Sequence, residues 1–315
     1  MFTIKQPSTI IFGYNSAHEY DLPKNSLVIS SKGSKSRGWL EYTKLNDAYL
    51  FDDVEPNPSI ETVEKILQEF KSSNFSYVIG IGGGSSLDVG KFVGFKMKKK
   101  KIMIPTTFGS GSEVTRISVL KINGKKQSFH DDTLLADVAI IDSFFIQNSP
   151  ENVIKNSAID ACAQSTEGYD SKLGNMYTKF MCNKAFELLE DGLLNNNKEK
   201  IVLGSLYAGL GFGNCSTTLG HALSYVYSNE GYSHGHALAF TTTVAHSFNE
   251  SIFYSRFFNI IKNLKFDKIN LKQNLEDAAE VIMKDKKHLD NNPKLVSIQD
   301  IISLLKKINS LQLYT

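Results

Sequence analysis

One segment constrains the fold more than any other. An apolar run from Tyr77 to Ile81 reads as a strand, passes into Gly82-Gly83-Gly84-Ser85, and continues as a helical pattern to about Met97. Side chains at these glycines would hold a phosphate away from the backbone N–H groups at the helix start, so the turn suits a pyrophosphate. A glycine triplet taken alone serves a tight strand-to-helix turn equally well.

The surrounding sequence repeats this alternation. Ser26 to Ser30 (SLVIS) reads as a short buried strand, and the Gly- and Ser-rich SSKGSKSRG breaks the pattern after it. Ser59, following Pro56 and Pro58, is a suitable N-cap for a helix with Ile60, Val63, Ile66, Leu67 and Phe70 on one face. Ile102 to Ile104 and Val138 to Ile141 are further strand candidates, and the basic run Lys98 to Lys101 is expected in a solvated loop. Short strands alternating with helices imply a parallel sheet with right-handed crossovers and ligands at the carboxyl ends of its strands.

From Ser149-Pro150 onward the periodicity is helical. We therefore expect an α/β nucleotide-binding domain over 1–148 and an all-α domain over 149–315. In the second, Asn270 and Gln273 resemble a capping box ahead of Leu271, Leu275, Ala278 and Ile282. Ser297 and Asp300 open a further helix with Ile301, Leu304, Leu305 and Ile308 on its core face.

A length of 315 residues, 41% of them hydrophobic, supports two cores. Lys and Arg number 35 against 33 Asp and Glu, which provides no field for a nucleic-acid partner. No apolar run approaches the ~20 residues of a membrane span. Cys162, Cys182 and Cys215 form no CxxC pair, and no apolar leader is evident, so a reduced, cytoplasmic protein is expected.

A second loop, Pro105-Thr106-Thr107-Phe108-Gly109-Ser110-Gly111-Ser112-Glu113-Val114-Thr115, follows the next strand. Two polar glycine loops at successive strand ends point to a large polar ligand such as a dinucleotide. In the helical half, His221, His234, His236 and His246 lie close in sequence, while Asp160 and Gln164 share one helix face. Asp160, His221 and His234 would give a divalent cation three donors and leave a position open. A histidine on a helix is more often a hydrogen-bonded core residue, so spacing alone leaves both readings standing.

Taken together, GGGSSLDVGK (Gly82 to Lys91), PTTFGSGSEVT (Pro105 to Thr115), ADVAIID (Ala136 to Asp142), IDACAQSTE (Ile159 to Glu167) and HALSYVYSNEGYSHGHA (His221 to Ala237) resemble the iron-containing (group III) alcohol dehydrogenases. That family shares its fold with glycerol dehydrogenase and dehydroquinate synthase. The resemblance runs from Phe12-Gly13 to about Asn249. It implies that Gly82, Gly83, Gly84 and Ser85 hold the pyrophosphate, that Asp88 lies near the nicotinamide, and that Thr106, Thr107 and Ser112 line the cofactor cleft. It also implies Asp160, His221 and His234 as metal ligands.

Two positions depart from the family pattern. Gln164 stands where the family has a further ligating histidine, which opens the choice between Fe²⁺ and Zn²⁺ and leaves Gln164 either a ligand or an outer contact. Tyr225 stands where many members carry a second histidine. Both changes, with the Ser-Tyr of HALSY, resemble the phosphonoacetaldehyde reductase branch, which makes 2-hydroxyethylphosphonate. The chain also ends sooner than most members, so a reduced helical part is expected.

The implied activity is hydride transfer from NAD(P)H to a small aldehyde polarised by the metal, with His236 or His246 returning the proton. Each of those histidines also has a plain packing role open to it. Ser31 lies where NAD-preferring relatives place a carboxylate, with Lys32, Ser34, Lys35 and Arg37 following, so NADP(H) is expected to be accepted or preferred over NAD(H). For an anionic substrate, Arg116 and Lys125 or Lys126 are the candidate cations. The alternatives are a general short-chain alcohol or polyol dehydrogenase of the same family, a dehydroquinate synthase-like lyase, and a non-catalytic nucleotide-binding protein. A homodimer is compatible with all of them.

Overall fold

The computed structural model describes residues 1–311, in which two compact units meet at Ser149/Pro150. The strands of the first unit are β1 (Thr9–Phe12), β2 (Ser26–Ile29), β3 (Tyr49–Phe51), β4 (Tyr77–Gly82), β5 (Lys100–Pro105), β6 (Ile117–Ile122), β7 (Lys125–His130) and β8 (Val138–Ile141). Six of them form one parallel sheet in the order β1-β8-β5-β4-β2-β3. Leu27, Val28, Ile29, Val78, Ile79 and Ile81 are fully buried, as strands covered on both faces require.

The sequence underestimates β5. Lys100 and Lys101 belong to the strand, paired with Tyr77 and Val78 of β4, so the basic run is not a loop throughout. Lys101 is 9% exposed; its amide donates to Asp137 Oδ2 at 2.8 Å, and its ammonium lies 3.8 Å from the same oxygen. Its aliphatic stem can therefore be buried while the charge stays paired. The antiparallel β6–β7 hairpin was not anticipated. Its two-residue loop is Asn123-Gly124, with φ of 50° and 75°, the pairing that a tight primed turn demands.

The second unit is helical. The helix Glu151–Asp170 is buried continuously from Ala158 to Gly168 and packs against Met176–Leu194, Lys198–Phe212 and His234–Asn249. Ser297 and Asp300 form the expected capping box at the start of Ile298–Ser310. Asn270 does not cap a helix. The helix Leu275–Met283 begins later, with Asn274 accepting from the amides of Glu276 and Asp277. The amides of Lys272 and Gln273 instead donate to Glu230, and that of Asn270 to the Tyr232 hydroxyl, so this stretch is spent tying two segments together.

Candidate functional site

In the first unit, β4 delivers the glycine turn to the helix Gly84–Lys96, whose N-cap Gly83 has no side chain to occupy its first amides. Those amides and the helix dipole offer an anion site. Gly82 sits at φ 149°, and a Cβ there would lie 2.7 Å from Ser86 Oγ. A Cβ on Gly84 would reach within 2.9 Å of Ser110 Oγ, and one on Gly83 within 3.1 Å of Thr107 Oγ1. The two glycine loops therefore lie against each other, and the cradle that a Cβ would fill fits a pyrophosphate. The buried Thr106 donates its amide to the Gly82 carbonyl at 2.8 Å, which fixes the two strand ends in register.

Asp88 and Ser112, expected near the cofactor, bind one another. Ser112 Oγ donates to Asp88 Oδ1 at 2.6 Å, while Asp88 Oδ2 accepts from the Val119 amide at 3.0 Å. The ammonium of fully buried Lys91 is 3.3 Å from Asp88 and donates to the carbonyls of Thr115 and Ile117. Burial pushes this lysine below its ordinary pKa and raises the neighbouring Glu113 to about 7. The cluster thus fastens the helix after the first loop to the end of the second.

At the end of β2, Ser31 Oγ accepts from Arg37 at 3.3 Å. The end of β2 carries Ser31 and no carboxylate at that position, while Asp53, just beyond β3, lies 3.0 Å from Lys32 Nζ. Arg116 is also committed, 2.9 Å from Asp132 at the surface, and Lys125 lies on the β6–β7 hairpin.

In the second unit, Asp160, His221 and His234 converge, each offering one ligand atom within 4.8 Å of the others. His221 Nε2 is 3.5 Å and His234 Nε2 3.8 Å from Asp160 Oδ1. Donors ~2.1 Å from a tetrahedral ion lie roughly 3.4 Å apart, so the spacing fits a divalent metal. Gln164, one turn beyond Asp160, donates its amide to Asp160 Oδ1 at 2.9 Å and leaves a buried Oε1 without a partner. An orphaned oxygen beside a carboxylate and two imidazoles is what a cation would satisfy.

Glu167 was present in the IDACAQSTE motif but had no role assigned. Its Oε2 accepts from His221 Nδ1 at 2.6 Å and from the Thr218 amide at 3.0 Å. This fixes the imidazole with its Nε2 facing Asp160. Burial opposes charge on His221, yet Glu167 and Asp160 outweigh it and raise its pKa to about 9. The signal was available: Asp160, Gln164 and Glu167 recur at helical spacing on one face.

The proton donors expected at His236 and His246 are not in this group. His236 Nε2 bonds the Asp267 carbonyl at 2.6 Å, and its ring packs on Phe266. His246 is buried, with Nε2 2.8 Å from Thr166 Oγ1. Since Thr166 already donates to the Cys162 carbonyl, it accepts from His246. Burial lowers that histidine's pKa to about 4, which makes it a neutral core residue. The rings that do adjoin the metal-type group are Tyr225, stacked on His234 at 6.2 Å, and His288, stacked on His221 at 6.3 Å. His288 was not legible as a neighbour of this group, while its Nδ1 lies 2.6 Å from Asp285 Oδ2.

Both units resemble known proteins. The pattern of the iron-containing alcohol dehydrogenases matches residues 7–143, and that of the Fe-containing alcohol dehydrogenase family, C-terminal, matches 154–297. The chain is 34% identical over 209 residues to a 4-hydroxybutyrate dehydrogenase of Clostridium kluyveri, covering 57% of this chain and 56% of that one. It is 34% identical over 206 residues to long-chain-alcohol dehydrogenase 1 of Geobacillus thermodenitrificans, covering 56% and 52%. The chain thus spans about half the length of these curated relatives. Among solved structures, a 1,3-propanediol oxidoreductase superposes with a TM-score of 0.90 at 22% identity, covering 98% of this chain and 100% of that one. A sulfoacetaldehyde reductase from Bifidobacterium kashiwanohense in complex with NAD+ gives 0.90 at 22% identity, covering 99% and 100%. At these identities the structural likeness establishes the fold. With the two family patterns matching both units, the chain belongs to the iron-containing alcohol dehydrogenase family.

Proposed function

We propose that this protein is a metal-dependent, NAD(P)H-linked alcohol dehydrogenase working as a reductase of small aldehydes. The observation that carries the reading is the convergence of Asp160, His221 and His234 beside the unpartnered Oε1 of Gln164. Those three residues would hold the metal, with the Gln164 oxygen as a fourth donor. Bound there, a divalent ion such as Fe²⁺ or Zn²⁺ supplies Lewis-acid polarisation of the substrate oxygen. Glu167 holds His221 in the tautomer that presents Nε2, and Gln164 keeps Asp160 turned toward the two imidazoles. Gly82, Gly83, Gly84 and Ser85 receive the pyrophosphate of a nicotinamide dinucleotide, with Thr106 and Thr107 alongside, and the dinucleotide supplies the hydride. Asp88 and Ser112 act indirectly, through the bond that keeps the two loops together.

The cofactor choice rests on Lys32. Asp53 neutralises it, which lessens the cationic character that a 2′-phosphate would use and brings NAD(H) level with NADP(H). Comparing catalytic efficiencies with NADH and NADPH, before and after Asp53→Asn, tests this; the variant shifts the ratio toward NADPH.

The finer reading, phosphonoacetaldehyde, rests on Gln164, Tyr225 and the HALSY pattern. The deciding experiment combines elemental analysis of the purified protein with anaerobic NADH and NADPH oxidation over charged and uncharged aldehydes. Metal-dependent net oxidation supports the dehydrogenase reading. Turnover without net oxidation would favour a lyase, and dinucleotide binding with neither metal nor turnover would overturn an enzymatic role.

A further inference from the structure

Cys182 and Cys215 come together where helices of the second unit close on one another. Cys182 lies in Met176–Leu194 and Cys215 in the connection after Lys198–Phe212; both thiols are free, and their residues are 0% and 2% exposed. A Cβ on Gly168, in the Glu151–Asp170 helix, would stand 2.9 Å from Cys182 Sγ and 3.3 Å from Cys215 Sγ, so the two sulfurs share the space beside this glycine. A Cβ on Gly211 would meet Cys182 Sγ again, at 2.6 Å. Cys215 Sγ lies 3.3 Å from the Gly168 carbonyl oxygen and 3.5 Å from that of Gly211.

The two thiols also bond each other. Cys182 donates to Cys215, which pushes the Cys182 thiol up and draws the Cys215 thiol down, and the Ser171 and Thr178 hydroxyls face the same Cys215 sulfur. Cys162, earlier on the helix that carries Gly168, is only raised, chiefly by burial. A thiolate is the nucleophile in sulfur oxidation, so Cys215 is the attacking member of the pair and Cys182 the resolving one. Cys215 is also the more yielding of the two. It lies outside any helix, between half-buried Asn214 and Ser216, and Ser216 holds left-handed backbone at φ 64°.

We infer that Cys182 and Cys215 are an oxidisable dithiol which hydrogen peroxide closes to a disulfide, and that closure loosens the metal-type group. The Cys215 sulfur attacks one peroxide oxygen, the O–O bond breaks, and the departing hydroxide takes the thiol proton, leaving a sulfenic acid and water. The Cys182 sulfur then attacks Cys215, the S–O bond breaks, and the leaving hydroxide takes the Cys182 proton as a second water. Two thiols are thereby oxidised by two electrons, and one peroxide is reduced to two waters. The new S–S bond, about 2.05 Å long, draws Cys215 toward the Cys182 helix. Asn291 Nδ2 donates to the carbonyls of Cys215 and Thr217 at 2.8 and 3.1 Å, and the next amide, that of Thr218, donates to Glu167 Oε2 at 3.0 Å. Movement of Cys215 therefore reaches the carboxylate that orients His221. The effect on the metal rests on reading Asp160, His221 and His234 as its ligands; the disulfide does not.

The test treats the Zn²⁺-loaded full chain with hydrogen peroxide, zinc having no redox chemistry of its own. Remaining thiols are alkylated after unfolding, and the peptides are mapped without reductant. The expected product is a Cys182–Cys215 cross-link, lighter by the two thiol hydrogens and reversed by dithiothreitol, with Cys162 alkylated throughout. Titration against a chelator is expected to show about tenfold weaker Zn²⁺ binding by the cross-linked protein, and no change on peroxide treatment of Cys215→Ala. Absence of a cross-link, or one that engages Cys162, would overturn the inference. A Cys182–Cys215 cross-link at unchanged Zn²⁺ affinity would overturn the link to the metal-type group. A chain that takes up no Zn²⁺ before treatment would remove the metal reading and that link together, while the peptide map still decides the disulfide.

Discussion

Glu167 Oε2 stands 2.6 Å from His221 Nδ1 and 3.0 Å from the Thr218 amide, a buried carboxylate whose one oxygen both orients an imidazole and caps the entry to that imidazole's helix. The two jobs are separable. Glu167→Gln keeps an oxygen for the amide and removes the charge that makes His221 a strong donor. Metal affinity of the variant is expected to fall by about 10- to 100-fold, with little change in circular dichroism. Titration of metal-free protein with Zn²⁺ against a chelator of known affinity measures it.

Gly235, directly after His234, lies against the backbone of the Asp160 helix. A Cβ at this position would sit 1.9 Å from the Asn156 carbonyl oxygen, and backbone has nowhere to yield. Helix propensity favours alanine over glycine by about 1 kcal/mol, so a stabilised Gly235→Ala would refute the contact. We expect the opposite: a loss of about 1–3 kcal/mol in urea unfolding, because the two helices are forced apart, and a parallel loss of metal affinity.

Gln164 supplies a weaker donor than imidazole. Gln164→His should raise affinity for Zn²⁺ or Fe²⁺ by about tenfold, since imidazole suits both ions. Gln164→Leu, which removes the oxygen without adding a donor, should lower it. Equal affinity in all three proteins would show that the side chain does not reach the metal.

These residues also mark what could be read from the chain. Strands and helices with strong periodicity were legible because each is fixed by its own few residues, as Val138 to Ile141 and the Ser297–Asp300 cap show. Asn123-Gly124 was equally local and went unread among the lysines around it, although that pair is a hairpin signal in its own right. Asn270 failed for a different reason: Tyr232 and Glu230, distant in sequence, claim the amides that a helix would have used. Asp160, His221 and His234 were within reach of motif reasoning, and Glu167 of helical spacing. His288 was not, because its place beside His221 is set by how separate helices pack, which no spacing in the sequence encodes.

His246 allows a pH prediction with a definite sign. Its ordinary pKa of 6.5 falls to about 4 in the folded protein because it is buried, so the unfolded chain binds more protons between those values. Stability from this group is complete above pH 6.5 and is lost as pH falls toward 4. The shift corresponds to about 3 kcal/mol as an upper bound. His246→Gln keeps a donor for Thr166 and has nothing to titrate, so it should flatten that part of the acid slope even if it starts less stable at pH 7.5. Urea unfolding at pH 7.5, 6.0 and 5.0 for both proteins measures the difference. Parallel slopes would mean that His246 is not held neutral by the core, and that the carboxylates account for the acid lability.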